Sequence, residues 1–126
     1  MPIENIVADV KKDFDGTTIG NILMFTTDNN KGRLFPMEIW FSLHEVSGFA
    51  SVSTVSIGIT PVNYNDIVPV TPLTNLNTAE EVFKINLGDN AKSIPPNTPV
   101  YLRVSEEAVA ATYLCRAHFV GHYFKD

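Results

Sequence analysis

Cysteine is almost absent from the chain, since Cys115 is the only one among 126 residues. A single cysteine excludes an intrachain disulfide and any zinc site built from several cysteines. Because Cys115 lies between Leu114 and Arg116 in an apolar-rich segment, we expect it to be a small buried side chain; the alternative is a reactive thiol. The fold must therefore be stabilised by a hydrophobic core, for which 44% of the residues are suited.

Positive charge is also scarce. The chain has 9 Lys and Arg against 14 Asp and Glu, a net charge of -5. The basic residues are scattered, and Lys11 and Lys12 are the only adjacent pair. A protein that binds along a nucleic acid needs cations to neutralise phosphates. We therefore expect no nucleic-acid partner.

Targeting and membrane-spanning signals are missing from the sequence. Residues Met1 to Asn5 lack the basic start and apolar run of a secretory signal, and no window approaches the length of a membrane span. We expect synthesis in a cytoplasm and no membrane partner.

Catalytic motifs are missing as well. No Ser-His-Asp set, Gly-rich phosphate loop or HExxH pattern is present. His118 and His122 are four residues apart, which on a strand separates them by about 13 Å, too far to share a metal ion. We expect two surface or interface histidines, no catalytic residue, no metal, no cofactor and no enzymatic activity.

The sequence is rich in β-forming residues. Val, Ile and Thr supply 34 of the 126 residues, and prolines and glycines fall between the apolar runs, which is typical of an all-β domain. The clearest strand alternates, with Met37, Ile39, Phe41 and Leu43 expected to be buried. The odd positions of a long final segment, from Val109 to Phe124, are expected to be buried too.

Other segments give weaker predictions. The segment 18–27 is apolar at successive positions, which indicates burial on both faces. The residues Asp28 to Gly32 predict a hairpin that joins two antiparallel strands. Pro69 restricts the strand around it, from Ile67 to Val70, to a sheet edge or a bulge. The sequence from Thr78 to Glu81 predicts a turn followed by a strand.

Eight strand candidates without an amphipathic helix predict a single antiparallel β-sandwich. Eight strands favour a jelly roll; an immunoglobulin-like sandwich is the alternative. We expect residues 1–16 to form an N-terminal arm or a weak edge strand, and residues 17–126 to form the sandwich domain.

Three aromatic residues stand at positions that otherwise carry polar side chains: Trp40, Tyr64 and Tyr101. Such rings can stack on sugars, anchor a protein interface, or be covered by a loop of the same chain. They are the candidate site residues, either for an interface or for glycan stacking.

The segment Ile94 to Val104, a Pro-rich crossing that leads into a strand, and the long segment Val109 to Phe124 resemble small all-β virion proteins of tailed bacteriophages, the capsid-decoration, fibre-base and tail-adaptor class. The resemblance implies a non-enzymatic structural protein of the virion. It implies a homo-oligomer that docks on a larger assembly such as a capsid or tail.

A carbohydrate-binding sandwich is the competing hypothesis. In it Trp40, Tyr64 and Tyr101 would form the stacking platform, with polar groups of the segment Asn63 to Asp66 binding sugar hydroxyls.

Overall fold

The computed structural model describes residues 4–87 and 92–125. Residues 1–3 of the predicted arm lie outside the described residues. Eight strands follow one another: β1 (Glu4–Asp15), β2 (Gly20–Thr26), β3 (Arg33–Ser47), β4 (Thr54–Gly58), β5 (Val68–Pro72), β6 (Val82–Asn86), β7 (Pro99–Glu106) and β8 (Thr112–Lys125). Over these two ranges, no helix is long and apolar enough to cross a membrane.

The strand pairing is nested. β1 pairs with β8, β2 with β7, β3 with β6 and β4 with β5, all antiparallel. Further pairs of β3 with β8 and β4 with β7 join these into two four-stranded sheets. The first sheet has the order β1-β8-β3-β6 and the second the order β2-β7-β4-β5.

This nested pattern is a long hairpin folded over into two sheets, which defines a jelly roll. The predicted fold class is confirmed. The immunoglobulin-like alternative, with its seven-stranded ABED and CFG sheets, does not match this strand order.

The core lies between the two sheets and is built from alternating side chains. On β3 the buried positions include Ile39, Phe41 and Leu43, as predicted. On β8 the odd positions from Tyr113 to Phe119 are buried, also as predicted. β5 is an edge strand, which confirms the inference from Pro69.

Two predictions of burial were wrong. Met37 is exposed, because the β3–β8 pairing shifts between Pro36 and Glu38 and this bulge turns Met37 outward. Leu23 on β2 is also exposed; the β2–β7 register shifts between Leu23 and Phe25, and Phe25 packs against the core.

Two predictions about connections were also wrong. The residues Asp28 to Gly32 join strands of different sheets rather than a hairpin, and the Asp28 amide donates to the Tyr123 hydroxyl across the end of the sandwich at 3.0 Å. The final strand begins at Thr112, and Val109 is exposed in the turn before it.

The first strand lies at the edge of the first sheet. Its register with β8 runs from Glu4 opposite Lys125 to Asp15 opposite Leu114. The division predicted after residue 16 falls in the turn between β1 and β2. The predicted turn before β6 is present, with the Thr78 amide donating to the Glu81 carboxylate at 2.8 Å.

The close approach of β8 and β3 at Gly121 gives a stability prediction. A Cβ on Gly121 would lie 2.8 Å from the Phe35 carbonyl oxygen. We expect Gly121→Ala to lower the free energy of unfolding by about 1–3 kcal/mol, measured by urea denaturation. The control is Gly20→Ala, where nothing lies within 4 Å of the added carbon. Equal midpoints for the two variants would contradict the tight contact.

Candidate functional site

The three candidate aromatic residues fall on opposite outer faces of the sandwich. Tyr64 and Tyr101 lie together on the second sheet, with ring centroids 4.6 Å apart and an interplanar angle of 35°. Trp40 lies on β3 of the first sheet, between the buried residues Ile39 and Phe41. Its ring therefore points away from the core on the other side of the molecule. No single platform of this molecule contains all three rings.

The loop 59–66 brings Tyr64 to Tyr101 by folding back over the outer face of the second sheet. Gly58 at the end of β4 makes this possible. A Cβ on Gly58 would overlap the Asp66 carboxylate and would lie 2.5 Å from the Tyr64 carbonyl carbon. All five residues of β4 are buried, because the core covers one face and this loop covers the other.

Polar contacts hold the loop in place. Arg103 on β7 donates to the Val62 carbonyl at 3.1 Å and to the Asn63 side chain at 3.2 Å. The Asp66 carboxylate accepts from the Ile59 amide at 2.8 Å and from the Thr60 hydroxyl at 2.9 Å.

The same contacts decide the charge state of Asp66. Burial acts to raise the pKa of Asp66, but the hydrogen bonds from Ile59 and Thr60 outweigh it and hold the pKa below its ordinary value. Asp66 is therefore ionised at neutral pH and fixes both ends of the loop.

Trp40 lies in a row of side chains that crosses the first sheet. Its ring meets His118 on β8 edge to face at 5.1 Å, and the Lys84 ammonium on β6 lies 5.6 Å from the ring centroid. His118 contacts the Asp9 carboxylate on β1. Lys84 pairs with Glu38 at 3.1 Å. The arrangement joins all four strands of the sheet by side chains as well as by backbone.

A second cross-strand pair lies further along the same face. Arg116 on β8 donates to the Asp13 carboxylate on β1 at 2.7 Å. This hydrogen bond holds the pKa of Asp13 below its ordinary value.

Cys115 is buried, as expected for a small core side chain. Burial raises the pKa of its thiol to about 12. The thiol is therefore protonated and unreactive at neutral pH.

The periodicity of the sequence did not predict one further feature, a group of exposed apolar side chains at one end of the first sheet. The group comprises Val7, Phe35, Met37 and Phe124. Phe35 and Phe124 contact each other with centroids 5.4 Å apart. Phe35, Phe124 and Val7 occupy outward positions, where periodicity predicts polar residues. Apolar residues at such positions are the sequence signal that could have revealed this group. His122 lies beside Phe124 at 6.3 Å, consistent with a surface histidine.

Within residues 4–87 and 92–125, no group of three or more His, Cys, Asp or Glu side chains is placed to hold a metal ion. The described surface includes several paired charges, a loop held by hydrogen bonds and a group of exposed apolar side chains.

Comparisons with known proteins identify the architecture. No family model and no curated protein matches the sequence. Among solved structures, a chain of the cyanophage Pam1 capsid asymmetric unit matches with a TM-score of 0.59 and 14% identity, over 96% of this chain and 86% of that chain.

Two further phage structures are similar. A chain of the capsid of Ralstonia phage GP4 has a TM-score of 0.57 and 13% identity, over 94% of this chain and 84% of that one. A chain of the acidic stable capsid of Helicobacter pylori bacteriophage KHP30 has a TM-score of 0.59 and 12% identity, over 99% of each chain. The chain thus has a jelly-roll fold similar to that of chains in phage capsids.

The pKa of Asp66 gives a pH-dependent prediction. We expect Asp66→Asn to lose about 1–2 kcal/mol of stability at pH 7, since hydrogen bonds to a charged acceptor are lost or weakened. A carboxyl whose pKa is lowered on folding stabilises above the unfolded value of 3.8, and this contribution disappears as pH falls through the lower folded value. Denaturation midpoints from pH 7 down to pH 2 should therefore converge for wild type and variant.

The control is Asp13→Asn. Its ion pair with Arg116 is more exposed, so we expect a loss of at most about 1 kcal/mol at pH 7. If Asp66→Asn and wild type were equally stable at pH 7, Asp66 would not hold the loop.

Proposed function

We propose that this chain is a non-enzymatic structural component of a bacteriophage virion. It self-associates and docks on a larger assembly, as a capsid-decoration protein or as a tail- or fibre-associated protein. The observation that carries the proposal is the similarity of nearly the whole chain to nearly whole chains of phage capsid structures. A fold can serve several functions, so the surface must supply the rest of the argument.

The sheet edges support an assembly role. A subunit of a particle is held at high local concentration and must avoid uncontrolled pairing between exposed strands. β5 carries Pro69 and Pro72, which cannot donate to an added strand. β1 carries Lys12 at an inward position, flanked by outward Lys11 and Asp13, and an inward-pointing charge also opposes edge pairing. Association through these two of the four sheet edges is thereby disfavoured.

The partners and the location follow from the same proposal. The partners are other copies of the chain and a larger protein assembly, and the location is the virion. The net charge of -5 opposes binding along a phosphate backbone, so nucleic acid is not among the proposed partners.

The carbohydrate-binding hypothesis stays a prediction that no observation favours. Tyr64 and Tyr101 pack against each other, so each ring covers part of the surface that a sugar would need. The Trp40 ring already contacts His118 and Lys84, so these side chains occupy surface that a sugar would need. We do not advance it as a second function.

Virion membership can be tested directly. Phage particles from the source of the sequence are purified on a density gradient, and the fractions are analysed by mass spectrometry for peptides of this chain. We expect the chain to sediment with the particles in a fixed ratio to their major shell protein. A soluble phage enzyme from the same lysate is the control for carry-over. Recovery of the chain only in the soluble fractions would contradict the proposed function.

A further inference from the structure

One end of the outer face of the first sheet is apolar. Val7, Phe35, Met37 and Phe124, called here the apolar end patch, are 58%, 39%, 44% and 40% exposed. The strand register places Val7 and Phe35 on either side of His122. Phe124 lies two residues further along β8 and contacts Phe35. The four side chains therefore lie at one end of the same outer face, with Phe35 and Phe124 in contact.

The patch is large enough to be the centre of an interface. Side chains of this size expose about 150–200 Å² each when free, so these fractions leave roughly 300 Å² of apolar surface in contact with water. The largest apolar patch on a monomeric protein is about 300–600 Å² and is often functional. A standard interface buries about 800 Å² per partner, a little over half of it apolar.

Several of the charged side chains on the same outer face are already paired within the chain. Two ion pairs cross this face, Asp13 with Arg116 and Glu38 with Lys84, and the Asp9 carboxylate contacts His118. A neighbouring molecule that covers this end therefore does not have to supply counter-charges to these groups.

Among the described residues, acidic side chains are concentrated at the opposite end. The connections there carry acidic side chains and no Lys or Arg: Asp15, Glu45, Glu80, Glu81, Glu106 and Glu107 lie in or beside them. At the patch end, the described side chains are nearly balanced, with Lys31, Arg33 and Lys92 against Asp28 and Asp66. Two copies that meet at the patch end hold their acidic ends apart, which minimises the repulsion between them.

From this distribution we propose that the apolar end patch is the surface through which copies of this chain associate with one another, with the patches meeting around a common rotation axis. A closed arrangement of this kind is the usual form of a homo-oligomer. The inference deepens the proposed function by naming the self-association surface and its occupant, a second copy of the chain.

Leu114 provides an internal comparison. It lies on the same strand and the same outer face as Phe124, ten residues away, and is 38% exposed. Its neighbours across the sheet are Asp15 and Glu45, so association there would bring carboxylates of like charge together. Leu114 and Phe124 are about equally exposed, but repulsion between carboxylates opposes association only at the Leu114 end.

The test is the absolute mass in solution, measured by light scattering on a sizing column over a range of concentrations. We expect a discrete oligomer for the wild type. The double variant Phe35→Ser, Phe124→Ser should associate about a hundredfold more weakly or not at all, since buried aromatic residues dominate interface energies. Leu114→Ser, the matched control, should keep the wild-type mass. A monomeric wild type, or a double variant with wild-type mass, would overturn the proposal.

A second measurement, cross-linking between introduced cysteines, reports which surfaces of two copies lie close together. Cys115 is buried and its thiol is protonated, so a cysteine introduced at an exposed position is the only reactive thiol. We expect a short bismaleimide to cross-link Met37→Cys into dimers, and not Val82→Cys, at the far end of the same face. Equal cross-linking of the two variants would count against the patch.

The two proposals fail independently. If the chain is present in purified particles but is monomeric, the patch is not a self-association surface and the virion assignment stands. If the chain self-associates through the patch but is absent from particles, the assignment to a virion fails and the patch stands.

Discussion

The structure depends on one strand, β8, being paired along both of its edges. Its fourteen residues hydrogen-bond to β1 on one side and to β3 on the other. Alternate side chains from Tyr113 to Phe119 enter the core, and the absence of a Cβ at Gly121 lets β3 approach closely. Because β8 fixes the register of the first sheet, it also fixes which side chains meet on the outer face.

The two outer faces are then used differently. On the second sheet, Gly58 leaves room for a loop of the same chain, and Asp66 and Arg103 fasten that loop. On the first sheet, the register brings charges of opposite sign together and apolar side chains to one end. The outer face of the second sheet is thus covered in part by a loop of the same chain, whereas the described part of the first sheet exposes an apolar end.

Much of the fold follows from the sequence, and the physical reason is periodicity. The alternation at Ile39, Phe41 and Leu43 and at the odd positions of β8 predicts the strands and their buried faces. The jelly roll follows from the number of strands. Periodicity does not reveal a β-bulge, and it therefore predicts the wrong face for Met37. Nor does the sequence from Asp28 to Gly32 reveal that the chain crosses between sheets, since the same residues suit a hairpin.

The candidate site was only partly accessible from the sequence. Trp40, Tyr64 and Tyr101 lie at half-buried positions, but the distances among them depend on pairing between distant strands. Tyr64 meets Tyr101 because β4 and β7 are neighbours, while Trp40 is on the other sheet. The apolar end patch likewise combines residues from β1, β3 and β8, which only the register brings together.

The nested pairing also has a consequence for the order in which the molecule can be made. Asp9 and His118, which contact each other, are 109 residues apart in the chain. During vectorial synthesis β1 emerges first, yet its hydrogen-bonding partner β8 emerges after the other seven strands. The first sheet cannot close until β8 has left the ribosome, and folding through such distant contacts is slow. Until then both edges of β1 are open, so the charged side chains of that strand oppose unwanted pairing on two edges in the nascent chain and on one edge in the folded chain.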